Sequence, residues 1–433
     1  MIFRTTVAGL LILAAQLLAL TVGGPADAAP MWQPGQATED GIPVVLNPAE
    51  ARDAEQVLAP EEQWRLGGDD ESDLLFGLVS DAVVDEDGVT YLLDNHLSSI
   101  YVISPEGELL RTIGREGDGP GEFRNGTELV FMPNGTLGVL EMMPGKIVCM
   151  DRQGIPQPSF AFAGEKNTGM SHLQHIDATA DQVVIGMVAT SFGDERVVTE
   201  YSLSAFQPDG TLQAVLMTNE DVQSGGMVQI RLGGGENDFV RSWSLCPDGR
   251  VVVFQKAFDY ELEVFDDYGK PQQIIRRQYE TIKRPEQEIA RSRKEAEDLK
   301  ARFPQIGDEP VEERARDISG VVARPNGEIW VTSSQGSQSC PEQSVGVFDV
   351  FDQLGHYVRT LRIEADFDRD RDLYAVDGEH LFIFKEAQKA PQRSQTSGGG
   401  GMMMVTIGGS PDEDEDEDEE PRPYEVVCYR LIP

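Results

Sequence analysis

The segment Asp81–Phe123, DAVVDEDGVTYLLDNHLSSIYVISPEGELLRTIGREGDGPGEF, contains one complete copy of a structural repeat. Its polar turns end at Gly88 and Gly107, where glycine supplies the positive φ angle that a tight turn needs. Around these turns lie short runs rich in Val, Ile, Leu and Tyr, namely Tyr91–Asp94, Ile100–Ser104 and Leu109–Ile113. The segment therefore predicts four antiparallel strands, which we name A to D in chain order.

The same two kinds of turn recur along the rest of the chain. Turns between strands A and B end at or near Gly88, Gly135, Gln182, Gly249, Gly327 and Gly378. Turns between strands C and D end at Gly107, Gly154, Gly210, Gly269 and Gly355. Since the second series is one member shorter, one unit lacks a strand D in its expected place.

We predict that the missing strand lies at the other end of the chain. Gly67–Phe76, GGDDESDLLF, echoes Gly114–Phe123, GREGDGPGEF, at an offset of 47 residues. Gln63–Gly67 precedes the first copy and is expected to be strand D of the last unit, whose strand C is Tyr424–Leu431. Two stacked β-domains, the alternative, would leave this echo unexplained. The sequence thus predicts an all-β fold, a six-bladed β-propeller closed by an N-terminal strand.

The first unit also resembles a known family. Asp81–Phe123 resembles an NHL-type repeat, with Asn95, His96 and Leu97 in the position that gives the repeat its name. The chain is similar to the secreted bacterial six-bladed propellers of that superfamily. The resemblance implies the fold and an exported protein, but it implies no particular ligand.

Residues 1–28 are predicted to be a cleavable secretory signal peptide. Arg4 precedes an apolar run from Val7 to Val22, and the small residues Ala26–Ala28 precede a mature start at Ala29. A transmembrane anchor is the alternative, but a span needs roughly 20 apolar residues and this run has about 16. We therefore expect a secreted or periplasmic protein without a membrane span.

The mature chain is predicted to consist of a lead segment, residues 29–60, and the propeller, residues 61–433. Its extra length falls on the face that carries the B–C and D–A connections, which we call the long-loop face. Binding sites are usually built from such loops on a rigid scaffold. The insertions are residues 189–197, 219–238, 281–317, 333–344 and 387–423. Within the third, residues 285–303 are predicted to form a helix that acts as a strut rather than a lid. The last, 387–423, is predicted to be a disordered acidic loop.

The charge of the chain restricts its partners. The 433 residues include 75 Asp or Glu and 36 Lys or Arg, which gives a formal net charge of −39. Such a field repels nucleic-acid phosphates and anionic membrane surfaces, so neither is expected as a partner. The run of nine acids Asp412–Glu420 carries part of this charge, and the rest belongs to the body. A monomer is expected.

The four cysteines, Cys149, Cys246, Cys340 and Cys428, are predicted to be unpaired and mostly buried. The propeller places them on blades or rims that are too far apart for the Cα separation of roughly 4.4–6.8 Å that a disulfide requires.

A candidate site follows from the strands A, which line the central channel of a propeller. The residues seven positions before each A–B turn are equivalent, and they are Asp81, Glu128, His175, Ser242, Gly320 and Arg371. Asp81, Glu128 and His175 offer two carboxylates and an imidazole on adjacent blades, a set that could hold Ca²⁺ or a transition metal. Polar side chains are also ordinary in a wet channel, and Arg371 could simply pair with a carboxylate.

The functional prediction is a non-catalytic exported scaffold that binds a protein or an extended ligand on the long-loop face, with no cofactor. The alternative is a calcium-type, metal-dependent hydrolase or lyase that uses the channel. Propeller lactonases hold their calcium with Glu, Asp and Asn, and no equivalent channel position here is Asn. The chain also lacks the common catalytic fingerprints, such as G-x-S-x-G or HExxH.

Overall fold

The computed structural model describes residues 33–68, 74–162, 170–193, 196–224, 237–302, 311–389 and 423–431. The predicted signal peptide and the acidic run both lie outside these ranges. Everything described below belongs to the compact unit that starts at Pro34.

Four strands precede the first complete blade: β1 (Gly35–Glu39), β2 (Ile42–Asn47), β3 (Gln56–Leu58) and β4 (Glu61–Gly67). Blade 1 contains β5 (Val79–Val84), β6 (Thr90–Asp94), β7 (Ser99–Ile103) and β8 (Leu109–Ile113). Blade 2 contains β9 (Gly126–Phe131), β10 (Leu137–Glu141) and β11 (Lys146–Met150), with a bridge between Met150 and Pro156 in place of a fourth strand. Blade 3 contains β12 (Met170–Ala178), β13 (Val183–Phe192), β14 (Arg196–Phe206) and β15 (Leu212–Ser224).

Blade 4 contains β16 (Trp243–Leu245), β17 (Val251–Val253), β18 (Glu261–Phe265) and β19 (Pro271–Arg277). Blade 5 contains β20 (Ile318–Ala323), β21 (Ile329–Ser333), β22 (Ser344–Phe351) and β23 (Tyr357–Glu364). Blade 6 contains β24 (Leu373–Asp377), β25 (His380–Lys385), β26 (Glu425–Arg430) and, as its outermost strand, β4. The predicted six-bladed β-propeller is confirmed.

Strand β4 closes the ring as predicted. It pairs antiparallel with β26, and Trp64 lies opposite Cys428. The Trp64 ring is buried and its centroid lies 6.1 Å from that of Phe382. Gly107, at the C–D turn of blade 1, has a φ of 87°, and a Cβ there would lie 2.5 Å from the Cβ of Trp64. Glycine at this turn thus serves the turn itself and its contact with the closing strand.

The lead segment forms strands that the sequence analysis does not predict. β2 pairs in parallel with β19 on the outside of blade 4, and β3 pairs in parallel with β23 on the outside of blade 5. We call residues 35–58 the strap. Buried Asn47 joins the two blades, since its side-chain amide donates to the carbonyls of Arg276 (3.1 Å) and Gly355 (2.9 Å). The strap therefore belongs to two blades of the propeller.

Several of the insertions contain regular structure. The predicted helix is confirmed as α1 (Glu286–Arg302), whose Ile289 is fully buried. A second, short helix, α2 (Ser334–Ser339), lies in the blade 5 insertion and is not predicted; the Ser333 hydroxyl caps it by accepting from the Gly336 N–H. The blade 3 insertion extends the hairpin of β13 and β14.

The hydrophobic core lies between neighbouring blades. Leu93 and Ile100 of blade 1, for example, pack with Val139 and Val148 of blade 2 around the fully buried Phe123. Burying each such side chain contributes roughly 1.5–3 kcal/mol. All four cysteines are unpaired, and three are buried, as predicted. Among the described residues, no helix is long and apolar enough to span a membrane.

Candidate functional site

The channel wall carries hydrogen bonds that join one blade to the next. In each bond, a polar side chain on strand A of one blade accepts from a backbone N–H on strand A of the following blade. The pairs are Asp377 with Val84 (2.7 Å), Asp81 with Leu129 (2.7 Å), Glu128 with Ile176 (3.0 Å) and Ser244 with Ala323 (3.0 Å). Two of the predicted site residues, Asp81 and Glu128, therefore connect blades.

Burial makes three of the channel carboxylates, Asp81, Asp177 and Asp377, harder to ionise by raising their pKa. Burial raises the pKa of Asp81 to about 7, a shift that the Leu129 N–H opposes and the charge of Glu128 increases. Burial also raises the pKa of Asp177 to about 6, against the opposing charge of His175. Asp81 and Asp177 therefore change charge close to neutral pH.

His175 is held as a cation beside these channel acids. Its Nδ1 lies 2.9 Å from Glu128 Oε2, so the two predicted site residues are in direct contact. Burial alone would lower the pKa of His175, but the charge and hydrogen bond of Glu128 outweigh it and raise the pKa to about 9. The imidazole centroid lies 4.4 Å from that of Trp243 on blade 4.

His175 borders a cleft of about 300 Å³ that blades 3, 4 and 5 share. We call it the mouth cleft. It includes three of the predicted equivalent positions, since Ser242 and Gly320 also line it. The rest of its lining consists of Asp238, Arg241, Trp243, Phe254, Arg316, Ser319 and Val321. Apart from His175, its residues lie just before or at the starts of β16 and β20 or just after the end of β17, which places the cleft on the long-loop face.

Two arginines make the mouth cleft basic. Arg316 Nη1 donates to Asp238 Oδ2, while its Nε and Nη2 are buried and have no hydrogen-bond partner. Arg241 is exposed and donates from Nη2 to the side chain of Gln174. With protonated His175, three cations face a single lining carboxylate, although the whole chain is strongly acidic.

The apolar side of the cleft comes from Trp243, Phe254 and Val321. The first two are almost fully buried, and the indole N–H of Trp243 donates to the carbonyl of Val240 (3.1 Å). Because that N–H is satisfied, the indole presents only apolar surface to a ligand.

Arg371 is not among the residues that line the cleft. It lies before β24, and its Nε is 2.8 and 2.9 Å from the two carboxylate oxygens of Glu386. Arg371 therefore pairs with a carboxylate, which is the alternative to a ligand-binding role that the sequence left open. In the described ranges, no group of three or more His, Cys, Asp or Glu side chains is arranged to hold a metal ion. Asp81 and Glu128 instead accept from backbone N–H groups.

A larger cleft of about 450 Å³ lies outside the ring, between the strap and the outer strands of blades 4 and 5. The ionisable side chain in its lining is His356, which is 3.2 Å from the Asp352 carboxylate. We regard the smaller mouth cleft as the candidate site because it combines several charges with aromatic surface.

Sequence reasoning missed Asp238, Arg241 and Arg316. These residues lie in the D–A connections, which vary in length and therefore do not follow the repeat. One signal was available: Arg316 and Arg241 stand just ahead of the strands A of adjacent blades, in a chain with few cations.

No protein-family model and no curated protein sequence matches the chain. Among solved structures, it is similar to a member of the DUF4221 family from Bacteroides vulgatus, with 12% identity over 86% of this chain and 97% of that one, at a TM-score of 0.45. It is also similar to a calcium-binding protein, regucalcin, from Agrobacterium tumefaciens (10% identity, 87% and 97% coverage, TM-score 0.39). A third is an inactive virginiamycin B lyase from Staphylococcus aureus with quinupristin (10% identity, 85% and 100% coverage, TM-score 0.38). None of these likenesses is close enough to transfer a ligand or an activity.

Proposed function

We propose that this protein is an exported binding propeller that holds part of a protein or another extended ligand in the mouth cleft. The observation that carries the proposal is the cleft itself, where charged side chains and aromatic surface from three blades meet on the long-loop face. Its volume of about 300 Å³ is at the lower end of small-molecule pockets. It would thus take one anchoring group of a larger ligand.

The rigid surroundings of the cleft support a binding role. The interblade hydrogen bonds of Glu128 and Ser244 fix the strands on either side of it. A pocket that is already formed loses little freedom when a ligand enters, and this favours affinity.

Blocking the cleft tests the proposal. Ser319 is exposed and lines the cleft, so Ser319→Trp should fill it without removing a charge. Wild type and variant would be screened by thermal shift against a panel of peptides, sugars, organic acids and amines. Compounds that raise the melting temperature of the wild type by several degrees should leave the variant unchanged. Asp248→Trp, on the opposite rim of blade 4, is the matched control.

Hits that stabilise Ser319→Trp as much as wild type would contradict the proposal. The metal-dependent alternative would gain support if Ca²⁺ raised the melting temperature of wild type and not of Asp81→Asn. Mass spectrometry of the hits after incubation would show any turnover.

The export part of the proposal rests on the sequence of residues 1–28. Expression of the full chain in a bacterial host should yield protein outside the cytoplasm whose N-terminal residue is Ala29. Recovery of an uncleaved cytoplasmic chain would contradict it.

A further inference from the structure

We propose that the anchoring group held in the mouth cleft is a carboxylate attached to a compact apolar or aromatic group. This inference rests on the proposed function, because it names the chemistry that the same cleft would recognise. The argument starts from the unpaired donors of Arg316.

The two unpaired nitrogens of Arg316 form one donor edge. Nε and Nη2 carry N–H groups that point the same way from the planar guanidinium, so they match the two oxygens of a carboxylate. Nη1, on the other side, is already bonded to Asp238, which fixes the orientation of the group. Arg316 thus offers a two-point recognition edge.

Burial makes this edge unusual. Both N–H groups are shielded from solvent and have no acceptor, although the Arg316 side chain as a whole is 29% exposed and lines the cleft. A buried donor without an acceptor costs roughly 1–3 kcal/mol. Because water does not reach these two nitrogens, a carboxylate can pair with them only when the guanidinium turns toward the cleft, and the pairing then removes that cost. The edge therefore lacks an acceptor that a ligand could supply.

The rest of the lining favours the same ligand. Arg241 and protonated His175 add positive charge, and Ser242 and Ser319 add hydroxyl groups. Val321 and the small exposed parts of Trp243 and Phe254 can contact an apolar group next to the carboxylate. A fully hydrated ion such as inorganic phosphate would leave this surface unused.

The remote charges of the protein make the selectivity stricter. A net charge of −39 repels any anion at a distance, so an anion that binds must gain its affinity from close contacts in the cleft. Two sources share the required chemistry, namely the C-terminal carboxylate of a peptide and a free organic acid.

The test compares two molecules that differ only in the terminal group, a carboxylate in one and an uncharged carboxamide in the other. N-acetylphenylalanine and N-acetylphenylalaninamide would be titrated at pH 7.5 by ligand-observed NMR against the mature protein. We expect the acid to bind at least about tenfold more tightly than the amide. Arg316→Gln should weaken binding of the acid about tenfold and leave the amide unchanged. Arg316→Lys, which keeps the charge and loses the donor edge, should fall between them.

Arg250→Gln is the matched control. Arg250 has similar exposure, 25%, and pairs with Asp248 on the opposite rim, so its loss should not affect the acid. If Arg316→Gln does not fold, Arg241→Gln replaces it, with an expected weakening of about threefold. 3-Phenylpropanoate separates the sources: weaker binding than N-acetylphenylalanine indicates a peptide, and equal binding indicates a free acid. Either result supports a carboxylate site.

Several results would overturn the inference. These are equal affinity for acid and amide, competition by inorganic phosphate at equal concentration, unchanged binding by Arg316→Gln, and an equal loss in Arg250→Gln. If acid and amide bind equally and Ser319→Trp abolishes both, the carboxylate inference fails while the proposed function stands. If neither binds, and no compound of the panel distinguishes Ser319→Trp from wild type, both fail.

Discussion

Blades 1 and 2 use the channel position differently from blades 3, 4 and 5. In blades 1 and 2, Asp81 and Glu128 at this position accept backbone N–H groups of the next blade, so their carboxylates join neighbouring blades. In blades 3, 4 and 5, the equivalent residues His175, Ser242 and Gly320 border the mouth cleft. Equivalent positions in a repeat thus join blades at blades 1 and 2 and line a candidate site at blades 3, 4 and 5.

Glu128 of blade 2 and His175 of blade 3 lie where these two groups of blades meet. Glu128 accepts from the Ile176 N–H and contacts His175, so one carboxylate holds a blade junction and sets the charge of the cleft. Because one side chain has both roles, a substitution of Glu128 should change the charge of the mouth cleft as well as the blade junction.

The largest expected effect comes from Glu128→Gln. The amide can still accept from Ile176, but it no longer supplies the negative charge that raises the pKa of His175 to about 9. We expect this pKa to fall by about two units or more, since burial then dominates. NMR titration of the imidazole C–H would measure it. His172, whose pKa is lowered by burial, is the internal control and should not change.

The sign of the stability effect follows from the same shift. A pKa raised in the folded state means that His175 stabilises the protein fully below pH 6.5, and that this contribution disappears as the pH rises through about 9. Glu128→Gln should remove that dependence. A His175 pKa that stayed near 9 in the variant would show that another group supplies the charge.

A smaller effect is expected from Asp81→Asn. The folded pKa of Asp81, about 7, exceeds its ordinary value, so the folded state binds the proton more tightly and wild-type stability falls as the pH rises from about 4 to 7. The amide keeps an acceptor for Leu129 and cannot ionise. The variant should be more stable than wild type by about 1 kcal/mol at pH 8, because Asp81 is only half-buried, and the difference should disappear as the pH falls to about 4.

Ser244→Ala is the matched control for Asp81→Asn. It removes an uncharged acceptor from an equivalent junction and should lower stability by about 1 kcal/mol at every pH. Urea unfolding across the pH range would measure both variants. Parallel pH profiles for wild type and Asp81→Asn would contradict the assignment.

The fold was predictable because its signals are local and repeated. Gly88, Gly107 and Gly135 have positive φ angles at the predicted turns, and the closing strand carries the same motif as the strand before Phe123. The strap was not predictable in this way. Its strands join the blades by backbone pairing, which requires no characteristic side chains.

The candidate site was predictable in part for a similar reason. Counting from the turns found His175, Ser242 and Gly320, because strands A keep a constant spacing from their turns. It could not find Arg316 or Asp238, since no register links an irregular connection to the repeat. Nor can spacing show that a carboxylate such as Asp81 is committed to a backbone N–H.

The closing strand and the strap give the chain a particular order of assembly. Arg65 pairs with Glu425, 360 residues later, and Asn47 bonds to Arg276, 229 residues later. A ribosome or a transporter that delivers the N-terminus first therefore releases these strands long before their partners exist. Contacts between such distant segments form slowly. Strand β4 therefore has no partner strand until residues 425–430 have been made, so the ring can close only after the other strands of all six blades exist.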